Sequence, residues 1–154
     1  MHSLRGPCGG GKRGSTEGCR SDGMDIAAIM NTSSTTGLSK GVMLPHGQQY
    51  WLARNMALAM ELTAADTHYN FFPLFHNTAQ AMITLPVMLT GARMVLREKF
   101  SLSSFWDVRS QEVTAFYFIG EILRLLVLET TLEAARGTKL RVGWGIGGSG
   151  LGLC

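Results

Sequence analysis

The sequence predicts an α/β fold, built of βαβ units with a mainly parallel sheet flanked by helices. Two observations carry this. From Ile26 to Trp144, short apolar, β-branched or aromatic runs alternate with helical patterns of about 10–16 residues. The apolar run Ile26 to Met30 does not alternate, as a strand covered on both faces need not. At 154 residues the chain suits one modest domain able to bury a core.

Taken in order, residues 1–23 carry Gly6-Pro7, Gly9-Gly10-Gly11 and scattered Ser, Arg and Lys, and are expected to form a disordered tail. They have no apolar core and so do not read as a secretory signal. Gly6 to Arg13 imitates a Walker A loop, but Arg13 stands where the magnesium-binding hydroxyl belongs and no strand precedes it. Ile26 to Met30 is expected as a buried strand of the parallel sheet, and Val42-Met43-Leu44 as a short apolar piece ended by Pro45. From about Gly47 to Leu62 the placement of Tyr50, Leu52, Ala53, Met56, Ala57 and Met60 predicts a helix. A turn holding Asp66 follows, then a strand over Tyr69 to Leu74 cut by Pro73.

A helix is expected from Thr78 to Leu89, kinked or restarted near Pro86 and ended by Gly91, with Ala92 to Leu96 as the next strand. Ser101 is placed to cap a helix over Leu102 to Gln111. Val113 to Ile119 is rich in β-branched and aromatic residues and predicts a strand. Glu121 to Arg136 has acid in its first turn, a nearly continuous apolar stretch, and Arg136-Gly137 at its end, which predicts a helix. Leu140 to Trp144 is the last strand candidate.

Composition excludes several classes. Charged residues make up 16% and net charge is +3, with Lys12-Arg13 the one adjacent basic pair and no aromatics interleaved, which argues against nucleic-acid binding. The long stretch Tyr69 to Ala92, free of Asp, Glu, Lys and Arg, holds too many polar and breaking residues to span a membrane. Cys8, Cys19 and Cys154 form neither a metal spacing nor a disulfide framework, and a reducing, cytoplasmic setting is expected. His2, His46, His68 and His76 show no metal spacing with one another, and Gly-x-Ser-x-Gly is missing.

The stretch that carries chemistry lies between these elements. Ile26 to Met30 stops at Asn31-Thr32-Ser33-Ser34-Thr35-Thr36, then Gly37, Lys40 and Gly41 follow. Backbone N–H groups in a glycine-containing turn, hydroxyls and a mobile ammonium form a cradle for polyphosphate. A Ser/Thr-rich surface linker has the same composition. The order of residues separates the two: Thr32 to Gly41 matches Thr-Ser-Gly-Thr-Thr-Gly-x-Pro-Lys-Gly at eight of ten positions, counting the variable one. That pattern is the phosphate loop of the acyl-adenylate-forming (AMP-binding) superfamily, which this chain resembles. Ser34 replaces the loop's first glycine and Ser39 its proline. Asp25-Ile26-Ala27, Val42 to His46, Pro73-Leu74-Phe75-His76, Gly91-Ala92-Arg93, Ile119-Gly120-Glu121 and Gly147-Gly148 continue the likeness, in the manner of crotonobetaine/carnitine-type and fatty-acyl CoA ligases.

The resemblance implies an ATP-dependent carboxylate–CoA ligase using ATP, Mg2+ and coenzyme A on a small-molecule carboxylic acid. It implies that Thr32, Ser33, Ser34, Thr35, Thr36, Gly37, Ser39 and Lys40 wrap the phosphates, with Thr32 near magnesium, and that His76 orients the carboxylate. Taken alone, a histidine after such an apolar run is more often a packed, hydrogen-bonded residue than a catalyst. The likeness covers 24–148 as a partial N-terminal domain, with 149–154 foreign to it, and the family's adenine- and ribose-binding elements and lid domain do not follow. The chain is therefore expected to be an incomplete domain, inactive alone. The competing expectation is a non-catalytic fragment that binds nucleotide or serves as an interaction piece. A basic RNA-binding tail over residues 1–23 is the third. The sequence leaves the acid and the oligomeric state open.

Overall fold

The computed structural model describes residues 22–32, 40–109, 112–129 and 137–147. The tails expected at 1–23 (up to residue 21) and 149–154 lie outside them, as do 33–39, 110–111 and 130–136. Four strands, β3 (Thr67–Asn70), β4 (Arg93–Leu96), β5 (Ala115–Ile119) and β6 (Val142–Ile146), form one sheet in the order β4-β3-β5-β6. Every pairing in it is parallel. This is the parallel sheet that the alternation of strand and helix patterns implies.

Alternation along β5 builds the two faces. Phe116 and Phe118 point to one side, where they pack with Tyr69, Phe71, Phe105, Leu123 and Leu126. Ala115 and Tyr117 point to the other, with Met56, Met60, Leu62 and Ile83. Helix α1 (His46–Ala59) and a π-helix (Thr78–Thr84) running into α2 (Leu85–Thr90) lie on the second face. Helices α3 (Leu102–Phe105) and α4 (Gly120–Glu129) supply the first. The restart near Pro86 is real: Pro86 stands at the start of α2, where its missing N–H is not needed, and Gly91 ends the helix at φ +72°.

Several elements differ from their expected form. Ile26–Thr32 (β1) is not in the parallel sheet; it pairs antiparallel with β2 (Lys40–Pro45), which the short apolar piece proves to be. The reason is length. Positions 33–39 are enough for a hairpin but too few for a parallel crossover, which takes a dozen residues or more. Nor is β1 buried, since Ile29 is 63% exposed. Strand β3 starts earlier than expected and stops at Asn70, whose Oδ1 accepts the Phe72 N–H at 2.9 Å and turns the chain before Pro73. Ser101 occupies the cap position of α3, but its hydroxyl bonds Ser103 Oγ at 3.0 Å, and the helix tightens to 3-10 geometry after one turn.

The amino ends of the strands meet at one carboxylate. Asp66 precedes β3; its Oδ1 accepts from Thr114 Oγ1 (2.6 Å) and Arg141 Nε (2.9 Å), and its Oδ2 from Arg141 Nη2 (2.8 Å) and Thr63 N–H (2.8 Å). Its backbone carbonyl accepts the Arg93 N–H at 2.9 Å. Arg141 donates further to the carbonyls of Met60 (3.0 Å) and Glu61 (2.8 Å), where α1 ends and Glu61 takes φ +50°. The Arg141 guanidinium, with the Thr114 and Thr63 donors, holds the Asp66 carboxyl well below the usual carboxylate range despite its burial.

Glycines on β6 let the aromatic core reach the sheet edge. A Cβ at Gly145 would stand 2.3 Å from the Phe118 carbonyl oxygen, and one at Gly143 2.8 Å from the Phe116 ring. Gly145→Ala is expected to destabilise the fold by about 1–3 kcal/mol through forced backbone movement, read as a lowered urea midpoint. Arg141→Ala leaves Asp66 buried without its cation and is expected to lose about 3–5 kcal/mol. Arg141→Lys should recover only part of this, because an ammonium cannot span both carboxylate oxygens and two carbonyls at once. Equal stability of Arg141→Ala and the unmodified chain in urea would remove Asp66 from its place at the head of the sheet.

Candidate active site

In a parallel sheet the side chains and loops beyond the carboxyl ends of the strands are where ligands sit, because that edge gathers loops from every strand. Here the first of them is the segment 71–77, leaving β3. The Asn70 turn and a bond from the His76 N–H to the Pro73 carbonyl (2.9 Å) fold it back, leaving Phe75 79% exposed and His76 exposed beside it. His76 Nδ1 accepts the Thr78 backbone N–H at 3.2 Å. The neutral ring therefore carries its proton on Nε2, which makes it a donor at the edge of the fold.

Strands β5 and β6 end beside each other. Ile119 passes directly into α4 at Gly120, and Gly147, at φ +85°, follows β6 so closely that a Cβ there would lie 3.9 Å from the Gly120 nitrogen. Leucines 123 and 126 hold α4 against the sheet, so its first turn is fixed at this edge.

The hairpin β1–β2 holds the other candidate residues. Its register places Thr32 directly opposite Lys40, the last pair before positions 33–39. Lys40 is exposed at this mouth. Ser33, Ser34, Thr35, Thr36, Gly37 and Ser39 lie outside the described residues, as does the Thr32 side chain. The base of the arm is tied to the start of α1: the Gly47 N–H donates to the Gly23 carbonyl (2.7 Å) and the His46 N–H to that of Asp25 (2.9 Å). A Cβ at Gly47 would stand 2.9 Å from the Gly23 oxygen, so this close approach needs glycine. Among the described residues no group of three or more His, Cys, Asp or Glu could hold a metal, and no helix is long and apolar enough to cross a membrane.

Sequence reasoning passed over three polar residues beneath the site. Gln49, in α1, is buried and donates from Nε2 to Asn77 Oδ1 at 3.1 Å. Asn70 and His68 alternate along β3 toward α1, both fully buried. Among the described residues neither ring nitrogen of His68 has a hydrogen-bond partner, and burial lowers its pKa to about 4. The run Thr67-His68-Tyr69-Asn70 was the available signal: polar residues in a central strand mark something other than plain core.

The model of the AMP-binding enzyme family matches residues 10–153. The chain belongs to this family. Among the family's curated members, it is 37% identical over 132 residues to the medium/long-chain-fatty-acid–CoA ligase FadD6 of Mycobacterium tuberculosis, covering 82% of this chain and 21% of that protein. It is 36% identical over 129 residues to human long-chain fatty acid transport protein 1, covering 82% and 20%. The chain thus spans about a fifth of the length of these relatives. The fold is that of the O-succinylbenzoate coenzyme A synthetase MenE of Bacillus subtilis in complex with AMP, at a TM-score of 0.67 and 29% identity over 82% of this chain and 26% of that one. ATP-bound MatB of Rhodopseudomonas palustris shares the fold at a TM-score of 0.68 and 24% identity, over 80% and 25%.

His68 gives the site region a signature in pH. The unfolded chain takes up a proton on this ring near pH 6.5 while the folded ring resists until about pH 4. Stability is then full above pH 6.5 and falls as pH drops through that window, by roughly 3 kcal/mol over its whole width. Urea unfolding midpoints between pH 7.5 and pH 4 should show this slope, and His68→Leu should flatten it. An unchanged slope in the variant would mean that another group titrates.

Proposed function

We propose that this chain carries the phosphate-gripping part of an ATP-dependent carboxylate–CoA ligase, an acid–thiol ligase of the acyl-CoA synthetase type. The observation that carries the reading is the hairpin register, which stands Lys40 beside Thr32 at the mouth of an exposed arm. An exposed cation next to a hydroxyl-rich stretch of sequence fits a polyphosphate, whose charge must be neutralised for its α-phosphorus to be attacked. Supporting this, a MenE structure 28% identical to the chain is described in complex with ATP and a magnesium ion, and others with an acyl-adenylate and a CoA product analogue.

Thr32, Ser33, Ser34, Thr35, Thr36, Gly37 and Ser39 are assigned the β- and γ-phosphates, through backbone N–H groups and hydroxyls. Lys40 supplies the point charge, and Thr32 stands nearest magnesium. His76 donates from Nε2 to one oxygen of the carboxylate, which aims the other. Bound ATP supplies the phosphorus on which the acid is activated, and coenzyme A the thiol that takes the acyl group. The names of the curated relatives favour a fatty acid as that small-molecule acid. The division into a tail over 1–23, a partial domain over 24–148 and a second tail over 149–154, and a cytoplasmic setting, belong to the same proposal.

Calorimetric titration tests it. Mg-ATP and inorganic triphosphate should bind with similar affinity, and Lys40→Ala should weaken both about tenfold, as loss of one charge-assisted contact does. AMP binding as tightly as ATP, or an unchanged affinity in Lys40→Ala, would place the nucleotide elsewhere. ATP/pyrophosphate exchange over a panel of carboxylates separates the ligase reading from a non-catalytic nucleotide-binding piece.

A further inference from the structure

We propose that Gln49 is a positioning residue for His76, acting through Asn77; this rests on the reading of His76 as the group that orients the carboxylate. Gln49 lies in the second half-turn of α1, and its neighbours one and two turns on, Ala53, Met56 and Ala57, are core. An amide at such a position is unfavourable unless its bonds matter, since buried polar groups lose water. Gln49 Oε1 has no partner among the described residues, so its stake in the fold is the 3.1 Å bond from Nε2 to Asn77 Oδ1.

Asn77 sits between the two residues that define the imidazole. His76 Nδ1 accepts the N–H of Thr78 at 3.2 Å, so a fixed Asn77 fixes both peptide units on which that contact depends. The Gln80 N–H donates to the His76 carbonyl at 3.2 Å and Gln80 Nε2 to the Leu74 carbonyl at 2.9 Å, which hold the same turn from the far side. Helix α1 also receives the base of the Lys40 arm at His46 and Gly47. Its first turn is thus bonded to the arm and, through Gln49, to the histidine turn. Gln49 ties the histidine turn to the same helix turn that anchors the base of the arm.

Amide hydrogen exchange on the 154-residue chain tests this without any ligand, together with the ring 15N shifts of His76. The variants are Gln49→Leu, Asn77→Ala and the two combined, with the Phe116 amide of β5 as the reference for global opening. Each single variant should speed Thr78 exchange about tenfold, the loss of one net hydrogen bond, and move the His76 Nδ1 shift, while Phe116 keeps its rate. The combined variant should be no worse than either alone. Thr78 unchanged, Thr78 and Phe116 accelerated alike, or additive effects would overturn the proposal. Should Gln49→Leu not fold, Asn77→Ala decides by the same comparison. Because no nucleotide or acid is present, a negative result here leaves the ligase reading standing, and a failure to bind ATP leaves this pair standing.

Discussion

One buried carboxylate organises this fold. Asp66 is bonded to the start of every strand of the parallel sheet: to β4 through its carbonyl, to β5 through Thr114, to β6 through Arg141, and to β3 by preceding it in the chain. Parallel strands have no hairpin turns to set their register, so the alignment must come from side chains or packing. Arg141 adds the end of α1 to the same point. With the amino ends level, the carboxyl ends come level too, and the His76 turn, the Gly120 start of α4 and Gly147 arrive along one edge. The placement of that edge thus depends on an ion pair at the other end of the sheet.

Rigid sheet and projecting arm divide the work. The sheet is crossed by a continuous aromatic layer, Tyr69, Phe71, Phe105, Phe116 and Phe118, whose rings meet edge-on or tilted at 5.4–5.8 Å (Tyr69–Phe71, Tyr69–Phe105, Phe105–Phe116 and Phe116–Phe118). The arm has no such layer, and its apolar residues Ile29 and Met43 face outward. It is held instead at its base, by backbone bonds from Gly23 and Asp25 to the first turn of α1. Anchoring at the base fixes where the arm leaves the domain. Outward apolar residues on the arm and on α4, such as Val127 and Leu128, are surfaces that a larger assembly or a longer chain would cover.

Much of this was legible in the sequence. Strand and helix patterns alternating through β3, β4, β5 and β6 gave the parallel sheet, and Pro86 and Gly91 gave the break and end of the second helical segment. The order Thr-Ser-Ser-Thr-Thr-Gly-Leu-Ser-Lys-Gly gave the family. What misled was Ile26 to Met30, where an apolar run looks the same whether it is buried in a sheet or exposed on an arm; only the length of the following loop distinguishes them. The Asp66–Arg141 pair is 75 residues apart, and no local pattern pairs them. Gln49 was illegible for a related reason: beside Gln48 in the polar first turn of α1, it reads as facing water until its surroundings are known.

Amide chemical-shift mapping with Mg-ATP tests most directly the proposed anion site at the arm's mouth and the carboxyl edge of the sheet. The account predicts the largest shifts at positions 32–41, with a second group at 76–78, 120 and 147, and little change around Asp66 and Arg141. Shifts gathered on the outer face of α1 or along β4, with positions 32–41 still, would contradict it.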